Sequence, residues 1–482
     1  MADTKAVNVN RLAFRSGSSY MLSNILISAT SLLTAPIFTR LLSTSDYGIA
    51  SNFAAWLNIG LVIIGLGLPY SIGNAKIDFP YELDRYLASI QTLGSVMAVS
   101  VLLFLIPFRD KVAAFMEIDS ILVLVIFTYM LVYPSVIYAQ EKFKFSLQYK
   151  QNIFISILNT FGSIAFCLVF IIYFFKEHRY YGRIIGLILP MFLIGIYFYW
   201  KIIKDGWFYD IKKYWKFALK IGLPMIPHSL AMVVLTQIDR IMIVKICGNA
   251  DAGLYSFGFA YAVLLVLLSN AILQAYQPWL YMKYKENDLL SIKDSNNLIA
   301  TAMCIVTFVI VVVAPEAITI LGAPSFWEAK WVVMPVAIGS LFQYIYNTYT
   351  GLELYHKKTL IIAIGTILVA IVNYSLNLFL IPVLGYTGAA YATGISYFAL
   401  AFFHLFACRI ITKKRIYDDN FIWAIAIVTS VISFLFTYLY DFILIRYSLL
   451  ILILAVIYLM QRRKIRSVIN LIFPEKTSEG FE

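Results

Sequence analysis

The run GLPMIPHSLAMVVLTQIDRIMIVK (222–245) carries the side chains best able to do chemistry within a stretch apolar enough to cross a bilayer. It contains His228, Gln237, Asp239, Arg240 and Lys245, and opens with Pro224 and Pro227. At helical spacing Ser229, Thr236, Gln237 and Arg240 share one stripe, with His228 and Asp239 on its flank. Polar and charged groups are costly against lipid, so such a stripe is expected to face a polar cavity. A guanidinium suits phosphate because its planar fork of donors is permanently charged. Arg240 is therefore expected to bind an anionic group, with Asp239 restraining or releasing it. The competing reading is a structural pair tied to a neighbouring helix.

Amides recur inside other apolar stretches: Asn24, Asn58, Asn74, Asn159, Asn270, Gln274, Gln277, Gln343, Asn347, Asn373 and Asn377. An amide can bond a sugar hydroxyl, or it can bond a neighbouring helix as packing glue. The candidate cavity residues are Arg40, Asn58, Lys76, His228, Gln237, Asp239, Arg240, Lys245, Asn270 and Gln274. The four cysteines, Cys167, Cys247, Cys304 and Cys408, form no CxxC and no Cys/His cluster, so neither a metal site nor a disulfide is expected. No catalytic constellation is expected either.

The elements that position these residues follow from composition. The 482-residue chain is 61% hydrophobic and 13% charged, and its mean hydropathy is +0.82. Water-soluble domains hold roughly 45–50% apolar and about 25% charged residues. Apolar stretches of membrane-crossing length recur along the whole chain. Fourteen spans are expected, at about 16–39, 48–73, 86–107, 118–139, 151–175, 182–200, 218–244, 253–280, 296–320, 331–352, 359–381, 387–408, 420–440 and 443–460. The fold class is an all-α polytopic membrane protein. The first span shows no cleavage site, so a removable signal peptide is not expected.

With the N-terminus inside, 28 of the 38 Lys and Arg fall on the cytoplasmic side and 9 outside, leaving Arg240 within a span. Both termini are therefore expected in the cytoplasm. The net charge of +12 reflects this topology rather than nucleic-acid binding. The basic clusters KKYWKFALK (212–220), ITKKR (411–415) and QRRKIR (461–466) are expected to meet anionic headgroups of the bilayer. The connector 201–217 reads as an interfacial amphipathic stretch joining two halves.

An internal repeat organises the spans. Shifted by 205 residues, RLAFRSG (11–17) falls on KFALKIG (216–222), and TRLLSTSDYGIAS (39–51) falls on VKICGNADAGLYS (244–256). The pairs Arg40/Lys245, Asp46/Asp251, Gly48/Gly253 and Ser51/Ser256 match. At a shift of 206, YYGRIIG (180–186) falls on YTGAAYA (386–392). The partners are six spans apart, so the halves run parallel. The expected plan is a 6+6 repeat around a central cavity, with halves at 1–205 and 206–412 and two extra helices and a tail at 413–482.

The stretches RLLSTSDYGIAS, DRIMIVKICGNADAGLYS and GYTGAAYATGIS (385–396) resemble the polysaccharide flippase branch of the multidrug/oligosaccharidyl-lipid/polysaccharide exporter superfamily. The resemblance spans essentially the whole chain through short motifs and the span pattern. It implies a V-shaped pair of six-helix bundles in the bacterial plasma membrane. Its cargo would be an undecaprenyl-pyrophosphate-linked oligosaccharide for O-antigen, capsule or exopolysaccharide assembly, delivered to a polysaccharide polymerase and chain-length proteins. The reaction would be transport, with no cofactor and with a coupling ion, proton or sodium, left open. The residues alone leave three alternatives: a cation-coupled multidrug exporter, a membrane polysaccharide polymerase or glycosyltransferase, and a peptidoglycan lipid precursor flippase. The exporter is expected to favour buried acids. The enzymes are expected to carry sizeable external loops, which this chain lacks.

Overall fold

The turn Ser43–Asp46 shows how local sequence sets the helix starts. The Ser43 hydroxyl accepts from the Asp46 amide at 3.0 Å, and the Asp46 carboxylate accepts from the Ser43 amide at 3.1 Å. This reciprocal cap satisfies amides that an opening helix leaves unpaired. In the computed structural model, which describes residues 34–146, 148–207 and 211–472, no strand occurs among the described residues.

The long helices are α1 (Thr44–Ile64), α2 (Leu83–Leu105), α3 (Ser120–Phe145), α4 (Tyr149–Val169) and α5 (Arg179–Asp205) in the first half. A short amphipathic helix, α6 (Ile211–Gly222), connects to α7 (Ile226–Cys247), α8 (Asn249–Ala262), α9 (Leu264–Lys285) and α10 (Leu289–Val312). Then follow α11 (Lys330–Tyr355), α12 (Thr359–Leu384), α13 (Tyr386–Thr412), α14 (Asp419–Thr437) and α15 (Ile443–Ile472).

Among the described residues, ten helices are long and apolar enough to cross a membrane. The expected count of fourteen differs for identifiable reasons. Helices α7 and α11 stand where spans 7 and 10 are expected, but their polar content keeps them out of the apolar set. The last span contributes a shorter apolar piece, Ile443–Val456. Most of the first span, with Arg11, Arg15 and Asn24, lies outside the described residues.

The repeat is visible in the helix starts. Helices α1 and α8 begin at Thr44 and Asn249, 205 residues apart. Helix α6 packs on the first half: Trp215 donates to the Ser89 carbonyl at 2.8 Å, and Tyr214 donates to Glu82 at 2.6 Å. The final pair, α14 and α15, is fastened to the second half by Arg446, which is fully buried, ion-pairs with Glu316 and donates to the Tyr440 carbonyl.

Candidate functional site

Helix α7 opens through a 3-10 turn at Leu223–Met225, and Pro227 occupies its first turn, where a missing N–H costs least. Its buried face is Ala231, Leu235, Asp239 and Met242, spaced four, four and three residues apart. Burial of Asp239 follows from that spacing. Its carboxylate accepts from the Tyr255 hydroxyl at 2.5 Å, the Thr393 hydroxyl at 2.6 Å and the Asn377 amide at 2.7 Å. These partners come from α8, α13 and α12, so one side chain joins four helices of the second half. The Asn377 amide also reaches Asn373 Oδ1 at 3.2 Å. Asn377 Oδ1 and Asn373 Nδ2 are buried with no partner among the described residues. Carboxylate, amide and hydroxyl oxygens are hard donors, and together they suit a proton or a small alkali cation rather than a soft metal. Among the described residues no cluster of three His, Cys, Asp or Glu could hold a metal ion.

Arg240 points elsewhere. It donates to the Thr236 carbonyl at 2.8 Å and to Gln237 Oε1 at 3.4 Å, and its guanidinium lies over the Phe259 ring at 4.7 Å. The same guanidinium lies 5.8 Å from the ring of Tyr255, whose hydroxyl bonds Asp239. Consecutive helical residues project about 100° apart, so the neighbours in sequence sit on different faces and form no side-chain ion pair.

Two cavities receive three of the ten expected cavity residues, Asn58, Asn270 and Gln274. The first, about 220 Å³ between α9 and α11, is lined by Asn270, Gln274, Gln277, Asn347, Thr348 and Thr350. The second, about 520 Å³, lies between α1 and α3 of the first half and α7 of the second. It holds Asn58, Tyr70, Tyr133, Glu141, Lys144 and Ser229. Ser229 and Val233 place the α7 stripe against this space, and Gln237 and Arg240 continue the same stripe one to two turns further along. His228 is half-buried with Nδ1 unpartnered among the described residues. Lys76 ends a short helix, Ile72–Asp78, and lines neither cavity. Asn373 and Asn377 serve Asp239 instead of facing open space.

The halves close over one end, the end carrying Arg40 and Lys245. A Cβ on Gly48 would lie 1.8 Å from the Asn249 carbonyl oxygen, and one on Gly253 would lie 2.0 Å from the Thr44 carbonyl oxygen. Thr44/Asn249 and Gly48/Gly253 are repeat mates, so each half presents the same glycine to the other. Tyr47 packs edge-on against Phe257 and Phe326, and Thr39 donates to the Leu321 carbonyl at 3.1 Å. Arg40 is exposed and turned back onto the Pro36 carbonyl, whereas Lys245 crosses to the Phe115 ring at 4.0 Å. At the opposite end Tyr70 and Ser229 share a hydrogen bond of 3.0 Å, and Gly67 (φ +65°) meets the Gly222 backbone beside the packed helix α6.

Sequence reasoning missed Glu353 and His404. Both are fully buried, with His404 Nδ1 2.8 Å and 3.0 Å from the two carboxylate oxygens, joining α11 to α13. Each is a lone ionisable group in its own apolar stretch, and nothing in the sequence pairs positions 51 residues apart.

Residues 13–284, more than half of the chain, match the model of a family described as polysaccharide biosynthesis protein. The chain is 22% identical over 293 residues to the Lsg locus putative protein 1 of Haemophilus influenzae, covering 58% of this chain and 68% of that protein. It is 21% identical over 357 residues to an uncharacterized membrane protein of the same species, covering 72% and 84%. Among solved structures, an inward closed conformation of the lipid II flippase MurJ superposes with a TM-score of 0.67 at 17% identity, covering 94% of this chain and all of that one. An inward-facing multidrug resistance MATE family transporter of the MOP superfamily superposes at 0.63 and 14% identity, covering 82% and 98%. The fold is thus shared with transporters of both kinds.

Proposed function

Given that the chain belongs to the family of polysaccharide biosynthesis proteins, we propose that it flips undecaprenyl-pyrophosphate-linked oligosaccharide across the bacterial plasma membrane by alternating access. The observation that carries this reading is a space between the halves, lined by amide, tyrosine and serine groups, beneath an end sealed by repeat mates. Hydroxyl-rich sugars need many hydrogen-bond partners, and the two cavities supply side-chain amides and hydroxyls for them. Arg240, on the stripe leading from the inter-half space toward the sealed end, receives the pyrophosphate. Arg40 and Lys245 form the cationic mouth at that end.

Alternating access then means breaking the Thr44–Gly48 to Asn249–Gly253 seal while the Tyr70–Ser229 end tightens. The Asp239 cluster couples this motion to a proton or alkali cation, because one carboxylate fixes the mutual positions of α7, α8, α12 and α13. The Lys and Arg distribution supports cytoplasmic termini and an outer position for the sealed end. Transport makes and breaks no covalent bond, so no catalytic residue is assigned. The test is deletion of the gene in its host: lipid-linked oligosaccharide should accumulate on the cytoplasmic leaflet. Sensitivity to cationic drugs without that accumulation would favour the exporter reading instead.

A further inference from the structure

Helices α4 and α5 are zipped together over one half of their length and part over the other. A Cβ on Gly182 would lie 2.8 Å from the Ile171 nitrogen, one on Gly186 2.4 Å from the Cys167 nitrogen, and one on Gly162 3.2 Å from Pro190. Ser163 donates to the Leu187 carbonyl in the same stretch. Beyond Gly162 and Pro190 the helices leave a groove of about 710 Å³. Its walls are Phe154, Leu158, Leu193 and Tyr197, all exposed, with Phe143 of α3 at its back. Lys150, at the start of α4, and Lys201, near the end of α5, line the groove at one end, with Gln151 beside them. This is the end that the Lys and Arg distribution assigns to the cytoplasm.

The nearby acids form no ion pair with either lysine. Asp84 pairs with Lys142, and Glu141 pairs with Lys144. Asp205 shares a small adjoining pocket with Lys201 but forms no ion pair with it. The groove is also separate from the space between the halves, since Tyr133, Ile137 and Glu141 of α3 face that space while Phe143 faces the groove.

We infer that this groove is a binding site for one anionic glycerophospholipid of the cytoplasmic leaflet, with its acyl chain in the slot and its phosphate between Lys150 and Lys201. An apolar slot open to hydrocarbon is filled by a chain, and two ammonium groups without an acidic partner, one of them 5.9 Å over the Tyr197 ring, select a negative headgroup at its mouth. The separation by α3 sets this lipid apart from the cargo and makes it a resident of the first half.

The test is native mass spectrometry of the full chain, titrated with phosphatidylglycerol and phosphatidylcholine of identical acyl chains. The wild type should retain one phosphatidylglycerol on the order of tenfold more tightly than phosphatidylcholine. Lys150→Gln/Lys201→Gln should erase that preference, and Leu158→Trp/Leu193→Trp, which fills the slot, should weaken both lipids. Equal binding of the two lipids by the wild type, or a preference that survives the lysine substitutions, would overturn the inference. Displacement of the lipid by inorganic phosphate alone, or by equimolar undecaprenyl pyrophosphate, would also overturn it, by assigning the cations to a free anion or the groove to the cargo.

Discussion

Three donors converge on Asp239, so removing its carboxylate strands a tyrosine, a threonine and an amide in a helical interior. Each buried group left unpaired costs about 1–3 kcal/mol. Asp239→Ala should therefore lower stability by about 3 kcal/mol or more, read as a fall in Tm of the purified protein. A Tm within a degree of wild type would mean that the cluster holds nothing together. Arg240 makes a contrasting case, because its partners lie on its own helix and over a ring. Arg240→Ala and Arg240→Lys should both fold, and both should cut transport at normal protein levels, the lysine less than the alanine. Full transport in both would remove Arg240 from cargo binding.

At the scale of elements, the proposed transport requires the seal between α1 and α8 to open. Thr44→Cys/Asn249→Cys places two thiols on helix starts that already touch through Gly48 and Gly253. Oxidation should cross-link them and stop transport, and reduction should restore it; undiminished transport in the cross-linked protein would show that these helix starts need not separate. The connector α6 makes a pH-dependent contact. Tyr214 donates to Glu82 and holds that carboxyl below the usual range, with Lys213 3.8 Å away adding to the effect. A lowered carboxyl pKa contributes stability that is present above the ordinary glutamate range and is lost as pH falls through the lowered value. Hydrogen-exchange protection of 211–222, taken relative to the intrinsic rate at each pH, should therefore fall as the medium is acidified below the glutamate range, and Glu82→Gln should remove that dependence.

The equivalence of α1 and α8 was legible in the sequence because the repeat put Asp46 over Asp251 and Gly48 over Gly253 in one register, but their mutual contact was not, since a repeat sets correspondence and not proximity. The Asp239 cluster was not, since its partners lie 138 and 154 residues further along. Asn373 and Asn377 could be recognised as amides inside a span, but only packing shows that they face a carboxylate. Asp239 and Arg240 drew attention as adjacent charges, yet adjacency along a helix separates side chains.

At the scale of the whole molecule, the two halves carry different equipment. The first contributes α1 and α3 to the shared space, while the second carries the buried carboxylate, the Glu353–His404 pair and the amide-lined cavity. In the proposed cycle the two halves rock about the seal, the second half senses an ion through Asp239, and both halves hold the cargo. The most direct measurement is translocation in proteoliposomes loaded with undecaprenyl-pyrophosphate-linked oligosaccharide and probed by a glycosidase added only outside. The account predicts that the purified chain makes the protected pool of glycan cleavable, and that the Thr44→Cys/Asn249→Cys cross-link abolishes this. A protected pool that stays intact with wild-type protein, while a cationic drug crosses the same vesicles, would contradict it.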